Sequence, residues 1–295
     1  MQIKVSPSVS QYIKLSKLRI VELLLVTTVP SMIISIYGMP PMDLIFITLL
    51  GGSGLAISAN VFNQIIEVDK DMLMSRTADR PLVTGTISIK NATRYGFFLG
   101  IFGFILLYTY VNPLTATIAL IANLYYVFVY TKFLKSRTNQ NIVIGGASGA
   151  SPTLIGWAAA NGSLELGAWV LFGIVFMWTP AHFWALSMLH KDDYISANFP
   201  MLPNTSSYKE TVRYIAIYSC STLLMSLLAA PILQLGLVYL FSAILLGTYL
   251  MLNVFRLYQN KTSPGLFFAL SNTYLALLFL GIVVDVLWTL RLAEM

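Results

Sequence analysis

Residues 60–82 read NVFNQIIEVDKDMLMSRTADRPL and directly follow LIFITLLGGSGLAISA at 44–59, a run apolar enough to lie in a bilayer. A charge at the centre of a membrane helix costs about 2.5–3.5 kcal/mol, and less near the edge. The polar cluster at the end of this run therefore needs a reason. If the helix continues past the membrane edge, Asn60, Glu67, Asp71 and Gln64 lie at about 60°, 40°, 80° and 100° from Asn63, and Asp69 at about −120°. Five polar side chains share one face and Asp69 points away. One reading is a polar helix end at the interface. The other is a hard-cation site, because Mg²⁺ takes oxygen ligands, commonly one or two carboxylates completed by substrate phosphate and water.

The rest of the 295-residue chain sets the scale of that choice. Only 10% of its residues are charged and 57% are hydrophobic, whereas soluble domains carry about 25% charged residues. The composition describes a polytopic membrane protein. The net charge of +6 is not gathered into a basic face or tail, so a nucleic-acid partner is not expected. The single cysteine, Cys220, has no partner for a disulfide and sits in an apolar run, where packing is its expected role. The first twenty residues carry neither a short apolar core with a cleavage site nor an Arg- and Ser-rich amphipathic pattern, so the first membrane segment is expected to remain in the mature protein.

Nine stretches satisfy the length and polarity of a spanning helix: 20–38, 42–66, 92–111, 113–131, 141–160, 166–190, 211–232, 235–257 and 267–290. The turns GMPP, VNP, NGSLELG and QLG contain no Lys or Arg. The alternate loops are basic: Lys4, Lys14, Lys17 and Arg19; Lys70, Arg76, Arg80, Lys90 and Arg94; Lys132, Lys135 and Arg137; Lys191, Lys209 and Arg213; Arg256 and Lys261. Seventeen of the eighteen basic residues thus fall on one side, and only Arg291 on the other. The positive-inside rule puts the N-terminus in the cytoplasm and the C-terminus outside. The expected fold is all-α: a single domain over 1–295, nine transmembrane helices around a central cavity, with the 60–82 cluster at the cytoplasmic edge.

SRTADRP sets Arg76 and Arg80 immediately after the acidic face. Arginine suits bidentate phosphate contact, so carboxylates for a metal beside arginines point to a bound diphosphate; the plainer reading makes both arginines topology anchors. Lys132 and Lys191, in neighbouring basic loops, complete the phosphate-side set. A second cluster, WTPAHFWALSMLHKDDYISANFPMLP at 178–203, ends the sixth span. Helices two and six run in the same direction, so two acidic ends could face each other, each holding a metal. Pro180 should kink the sixth helix. His182 follows inside the bilayer, and Asp193 lies only about 20° from it around a regular helix, with Asp192 about 80° off that line. An intramembrane histidine is a functional candidate; the alternative is a histidine hydrogen-bonded to a neighbouring helix.

These stretches resemble the UbiA-type intramembrane prenyltransferases. The first motif of that family, Asn then carboxylates at helical spacing then Arg-Thr-x-x-Arg-Pro, reads here as Asn63, Gln64, Glu67, Asp71 and Arg76-Thr77-Ala78-Asp79-Arg80-Pro81. The haem-prenylating branch is the nearest, on VELLLVTTVP at 21–30, NIVIGGASGASPTLIGWAA at 141–159, WTPAHFWAL at 178–186 and DDYISANFPMLP at 192–203. Gln64 and Glu67 stand where many relatives have Asp, Ala197 stands where the second motif usually repeats its Asp, and Leu18 replaces a frequent proline. The resemblance implies Mg²⁺ as cofactor, held by Asn63, Gln64, Glu67, Asp71, Asp192 and Asp193. It implies farnesyl diphosphate as donor, with its diphosphate on Arg76, Arg80, Lys132 and Lys191. It implies protohaem IX as acceptor beside His182 and Trp178, and haem O as product. Asn63, Glu67, Asp71 and Asp193 are the implied catalytic set. The implied setting is the plasma membrane of a prokaryote with the site toward the cytoplasm, and a haem A synthase or terminal oxidase as downstream partner. Two other readings remain at this point: a prenyltransferase with a quinone-type or other aromatic acceptor, and a transporter. The transporter is disfavoured because its polar site should sit at the midplane on broken helices.

Overall fold

The computed structural model describes residues 8–293; the side chains of residues 19–25 and 293 lie outside that description, as do Lys4 and the Arg19 side chain of the first basic group. Among the described residues the regular structure is all helical, joined by turns. In order it forms α1 (Val9–Ser16), α2 (Leu18–Ser35), α3 (Met42–Ile66), α4 (Val68–Asp71), α5 (Ile89–Tyr110) and α6 (Pro113–Leu124), which continues as a π-helix over Tyr125–Leu134. There follow α7 (Asn141–Asn161), α8 (Leu166–Leu189), α9 (Lys191–Ser196), α10 (Leu202–Thr205), α11 (Tyr208–Ile232), α12 (Leu237–Tyr258) and α13 (Pro264–Ala293).

Among the described residues eight helices are long and apolar enough to cross a membrane: α3, α5, α6 with its π extension, α7, α8, α11, α12 and α13. The expected first span, 20–38, falls on α2, of which the apolar Val26–Ser35 part has described side chains. The chain is a multi-pass membrane protein. Its outer faces carry Phe46, Phe98, Leu237 and Phe241 exposed, as lipid contact requires and water would not allow.

Local chemistry sets the helix ends. The Ser88, Asn112 and Ser207 side chains accept backbone N–H bonds at the starts of α5, α6 and α11, the usual N-cap arrangement. The N-terminus of α12 is capped from another helix: the buried Asp285 carboxylate of α13 accepts Gly236 N at 2.6 Å and Tyr239 N at 3.0 Å. Gly162, left-handed at φ +79°, ends α7.

α3 packs on α5, α7 packs on α2, α6 and α8, and α8 packs on α11 and α13. Close approach is built with small residues: a Cβ on Gly103 would meet the Gly51 carbonyl of α3, and one on Gly156 would collide with the Thr28 carbonyl of α2. Helices associate in lipid through such contacts, because water gives them no driving force there. The short α1 lies across the ends of α3 and α5, held by Gln64 Nε2 donating to Leu15 O at 2.7 Å and by a 2.9 Å bond between Ser16 Oγ and Tyr95 Oη.

α8 ends at Leu189, with His190 at φ −114°, ψ 34° before α9 begins. Helical hydrogen bonds carry on across this break, His190 N to Leu186 O and Tyr194 N to His190 O, both at 3.2 Å. Pro180 lies inside α8, which stays helical on both sides of it.

Candidate active site

Asn60, Asn63, Gln64, Glu67 and Asp71 are all buried, none more than 4% exposed, whereas Asp69 is exposed. The shared face survives even though α3 ends at Glu67 (φ −102°, ψ 9°). Helical hydrogen bonds carry on across the break, Glu67 N to Asn63 O at 3.0 Å and Asp71 N to Glu67 O at 2.8 Å, so the angular phase is kept.

Three cations close on this face. Arg80 pairs with Asp71. Lys135 Nζ lies 2.7 Å from Glu67 Oε2. Lys17 Nζ donates to Asn63 Oδ1 at 3.3 Å, while Asn63 Nδ2 donates to Thr131 Oγ1 at 3.2 Å. Three cations around two carboxylates leave the cluster electropositive, the balance an anionic ligand needs. Burial, reinforced by Arg80 and Lys135, pushes the Lys17 amine down to about 7. An arriving anion would favour its charged form.

The backbone explains how each cation gets there. Residues 72–88 form a chain of turns, Thr77 N to Met74 O, Arg80 N to Thr77 O and Thr84 N to Arg80 O; with Thr77 Oγ1 donating to Asp71 O at 2.8 Å, they fold Arg80 back onto Asp71. The π-helix closes with Lys135 N on Tyr130 O, and it sets Thr131 and Lys135, one turn apart, against Asn63 and Glu67. Lys17 adopts φ 50°, ψ 53° between α1 and α2. A left-handed non-glycine residue costs on the order of 1–3 kcal/mol and persists where its surroundings hold it.

Lys135 and Lys17 were counted in the sequence only as members of basic loops. Lys132, the lysine assigned to phosphate, is exposed. Only the π-helical turn, invisible in composition, separates the two assignments. Lys135→Met should destabilise the protein by about 3 kcal/mol, because it strands the buried Glu67 charge; Lys132→Met should stay within about 0.5 kcal/mol. Thermal unfolding in detergent reads both, and equal tolerance would contradict the Glu67–Lys135 pairing.

The second cluster sits beside the first but is engaged differently. Asp193 Oδ1 accepts from Ser75 N at 2.9 Å and Ser75 Oγ at 2.7 Å, and its Oδ2 accepts from Arg76 N at 3.2 Å. Burial alone would raise the Asp193 carboxyl, but these Ser75 and Arg76 bonds and the Arg76 charge hold it below the usual carboxylate range. Ser196 Oγ donates to Leu73 O at 2.8 Å. The two loops are thus clasped. Asn198, left-handed at φ 53°, turns the chain so that the buried Phe199 ring lies 4.7 Å from Lys135 Nζ and 4.2 Å from Lys70 Nζ. Asp192, Lys191 and the Arg76 side chain are exposed.

His182 lies between parallel rings, with Trp178 at 4.2 Å and Phe268 at 4.3 Å. Its Nδ1 is 2.8 Å from Ser271 Oγ of α13, and Trp178 Nε1 donates to Ser271 O at 2.9 Å. The bond to a neighbouring helix, one of the two readings of His182, is therefore present. Trp184 packs elsewhere, edge-on to Tyr214 and Tyr218 of α11.

The acidic face suits a hard cation. Glu67 Oε1 and Gln64 Oε1 are buried and have no hydrogen-bond partner among the described residues. No three His, Cys, Asp or Glu side chains converge among the described residues. A cation here would draw on one or two carboxylates, an amide oxygen, phosphate and water, which is the Mg²⁺ pattern. Beyond Asn60, toward the bilayer interior, a cavity opens between α3, α6 and α7, lined by Leu55, Ala59, Ala119, Tyr126 and Pro152.

The model of the UbiA prenyltransferase family matches residues 24–278. The chain is 44% identical over 279 residues to protoheme IX farnesyltransferase 1 of Saccharopolyspora erythraea, covering 93% of this chain and 89% of that one. Among solved structures it is similar to a digeranylgeranylglyceryl phosphate synthase (TM-score 0.76, 18% identity, covering 94% of this chain and 98% of that one). It is also similar to a UbiA homolog from Archaeoglobus fulgidus bound to GPP and Mg²⁺ (TM-score 0.66, 15% identity, covering 94% and 99%). With these matches running nearly end to end over an acidic face ringed by cations, the chain belongs to the UbiA prenyltransferase family.

Proposed function

We propose that this protein transfers the farnesyl group of farnesyl diphosphate to a vinyl group of protohaem IX, giving haem O. The observation that carries the reading is the buried face of Asn63, Gln64, Glu67 and Asp71, ringed by Lys17, Arg80 and Lys135 and opening onto an apolar cavity. The identity to a named protoheme IX farnesyltransferase supports the acceptor.

In this reading the diphosphate lies against Arg80, Lys135 and Lys17, with Arg76, Lys132 and Lys191 adding positive charge from the surrounding loops. Glu67, Asp71 and Gln64 would hold Mg²⁺, with Asn63 supporting, and the bound ion would supply positive charge against the departing diphosphate. The cations leave their carboxylate partners for the diphosphate as its charge grows, which is electrostatic catalysis at a site shielded from bulk water. The C1–O bond breaks, and its electron pair leaves with the diphosphate. The vinyl π electrons form the new carbon–carbon bond to C1. Water then adds to the cation left on the side chain and releases a proton. Asp193 positions Ser75 and Arg76, and Asp192 is the neighbouring carboxylate free to add a ligand. His182 and Trp178 belong to the haem site. Nine spans, one domain over 1–295, a cytoplasmic N-terminus and a site facing the cytoplasm complete the proposal, on the strength of the basic-loop bias.

Two measurements test the parts. Arg80→Ala should weaken binding of a non-hydrolysable farnesyl diphosphate analogue by roughly 10–100-fold, the loss of a charge-assisted contact of about 1.5–3 kcal/mol. Unchanged affinity in a folded variant would return Arg80 to the role of topology anchor. Purified protein offered protohaem or a quinone-type aromatic acceptor, each with farnesyl diphosphate and Mg²⁺, should prenylate only the haem. Prenylation of the quinone-type acceptor alone would replace haem in this account and leave the donor site as described.

A further inference from the structure

The cavity between α3, α6 and α7 has a feature that helix packing does not explain. Glycines in these helices mostly make room for a neighbour: a Cβ on Gly51 would meet Leu107, on Gly54 the Leu99 carbonyl, on Gly145 Tyr130, and on Gly156 Thr28. Gly52 and Gly149 differ. A Cβ on either would meet nothing within 4 Å, and both line the cavity. Glycine inside a helix costs roughly 0.5–1 kcal/mol relative to alanine. What the two residues contribute here is space.

They also sit at one depth. α3 and α6 run parallel, with Asn123 bonded to Leu55 O, Asn63 to Thr131 and Glu67 to Lys135. This constant offset puts residue 53 of α3 opposite residue 121 of α6. α7 runs antiparallel, with Asn112 Nδ2 on Ala158 O; counting back from that bond puts Gly149 opposite residue 121 as well. Gly52 and Gly149 therefore form opposite walls of one layer. Ile155 also lines the cavity, and its side chain slopes back toward the start of its helix, closing the far end. At the other end stands Asn60, 3% exposed, lining the cavity with its Nδ2 lacking a hydrogen-bond partner among the described residues. It lies one helical turn from Asn63, where the reacting carbon of a diphosphate held on Glu67 and Asp71 would enter.

We infer that this cavity takes the isoprenoid tail of the diphosphate substrate, and that the Gly52–Gly149 layer sets the longest tail accepted. The inference rests on the donor reading given above. From Asn63 to Gly52 is eleven residues, about 16 Å along the helix. An extended farnesyl chain, with twelve carbons along its length, spans about 14 Å for carbon–carbon bonds of ~1.5 Å. A geranyl chain of eight carbons spans about 9 Å on the same basis and ends near Ala56. The farnesyl end then comes within about 2 Å of the glycine layer, roughly the radius of its own methyl group, whereas the geranyl end stops about 7 Å short.

The test compares wild type with Gly52→Leu and Gly149→Leu. Gly52→Ala and Gly149→Ala serve as folding controls and should be at least as heat-stable as wild type. The readouts are binding of geranyl and farnesyl thiodiphosphate in Mg²⁺, and turnover of the two diphosphates with protohaem. Each leucine should lower farnesyl binding and kcat/KM at least tenfold, the scale on which misfitting methylenes are rejected. Geranyl values should stay within about threefold, since that tail ends short of the layer. The preference then reverses from farnesyl to geranyl. Folded leucine variants that keep the wild-type ratio of farnesyl to geranyl binding would overturn the inference, as would wild-type protein that binds neither thiodiphosphate. If wild type binds both and the leucines reverse the preference, but no prenylated haem forms, the tail inference holds and the haem acceptor falls.

Discussion

Asp71→Asn leaves the protein folded and lowers turnover by roughly 10²–10³-fold, the loss expected when one preorganised charge at a developing transition state is removed. The substitution is isosteric and still offers Arg80 an oxygen, so the Asp71–Arg80 contact persists as a neutral–charged hydrogen bond. What is lost is the negative charge that holds a divalent cation against the diphosphate. Asp69→Asn, two residues away on the exposed side of α4, stays within about threefold, as surface changes away from special features usually do. Rates on membranes matched for protein amount read the pair. Equal rates for both variants would remove Asp71 from the site.

His182→Ala gives the second large effect, on the acceptor alone. The imidazole lies between Trp178 and Phe268 and is tied to Ser271. Trp178 Nε1 still donates to Ser271 O at 2.9 Å without it, so α13 stays tied to α8. Haem affinity should fall roughly 10–100-fold, the scale seen when a ligand or its oriented support is lost, and turnover with it. Binding of a farnesyl diphosphate analogue should change less than about twofold, since among the described residues no hydrogen bond or ion pair joins His182, Trp178 or Phe268 to Glu67 or Asp71. Absorbance titration with haem, run beside analogue binding on one preparation, separates the two. Unchanged haem affinity, spectrum and turnover would make His182 a structural histidine bonded to Ser271.

Hydropathy and turn chemistry carried most of the architecture. The expected span 42–66 coincides with α3, and the turns at VNP and NGSLELG fall between helices. The acidic face was legible because its spacing is helical and a one-residue break at Glu67 does not change the phase; the outward aspect of Asp69 followed from the same arithmetic. The misses arose where the backbone leaves the regular helix. A π-helix over Tyr125–Leu134 brings Lys135 rather than Lys132 to Glu67. A left-handed Lys17 turns a residue of a basic loop into a neighbour of Asn63. The bonds from Ser75 and Arg76 to Asp193 join two loops, a contact that no helical spacing encodes. The π turn and the left-handed Lys17 alter local dihedrals, which neither periodicity nor charge count registers.

The most direct measurement incubates membranes bearing the wild-type chain with protohaem, farnesyl diphosphate and Mg²⁺, then separates the extracted porphyrins by chromatography with mass detection. The account predicts a later-eluting haem whose mass has risen by one farnesyl group and one hydroxyl, formed only when Mg²⁺ is supplied. Unmodified protohaem recovered in full, with farnesyl diphosphate either untouched or consumed onto another acceptor, would contradict it.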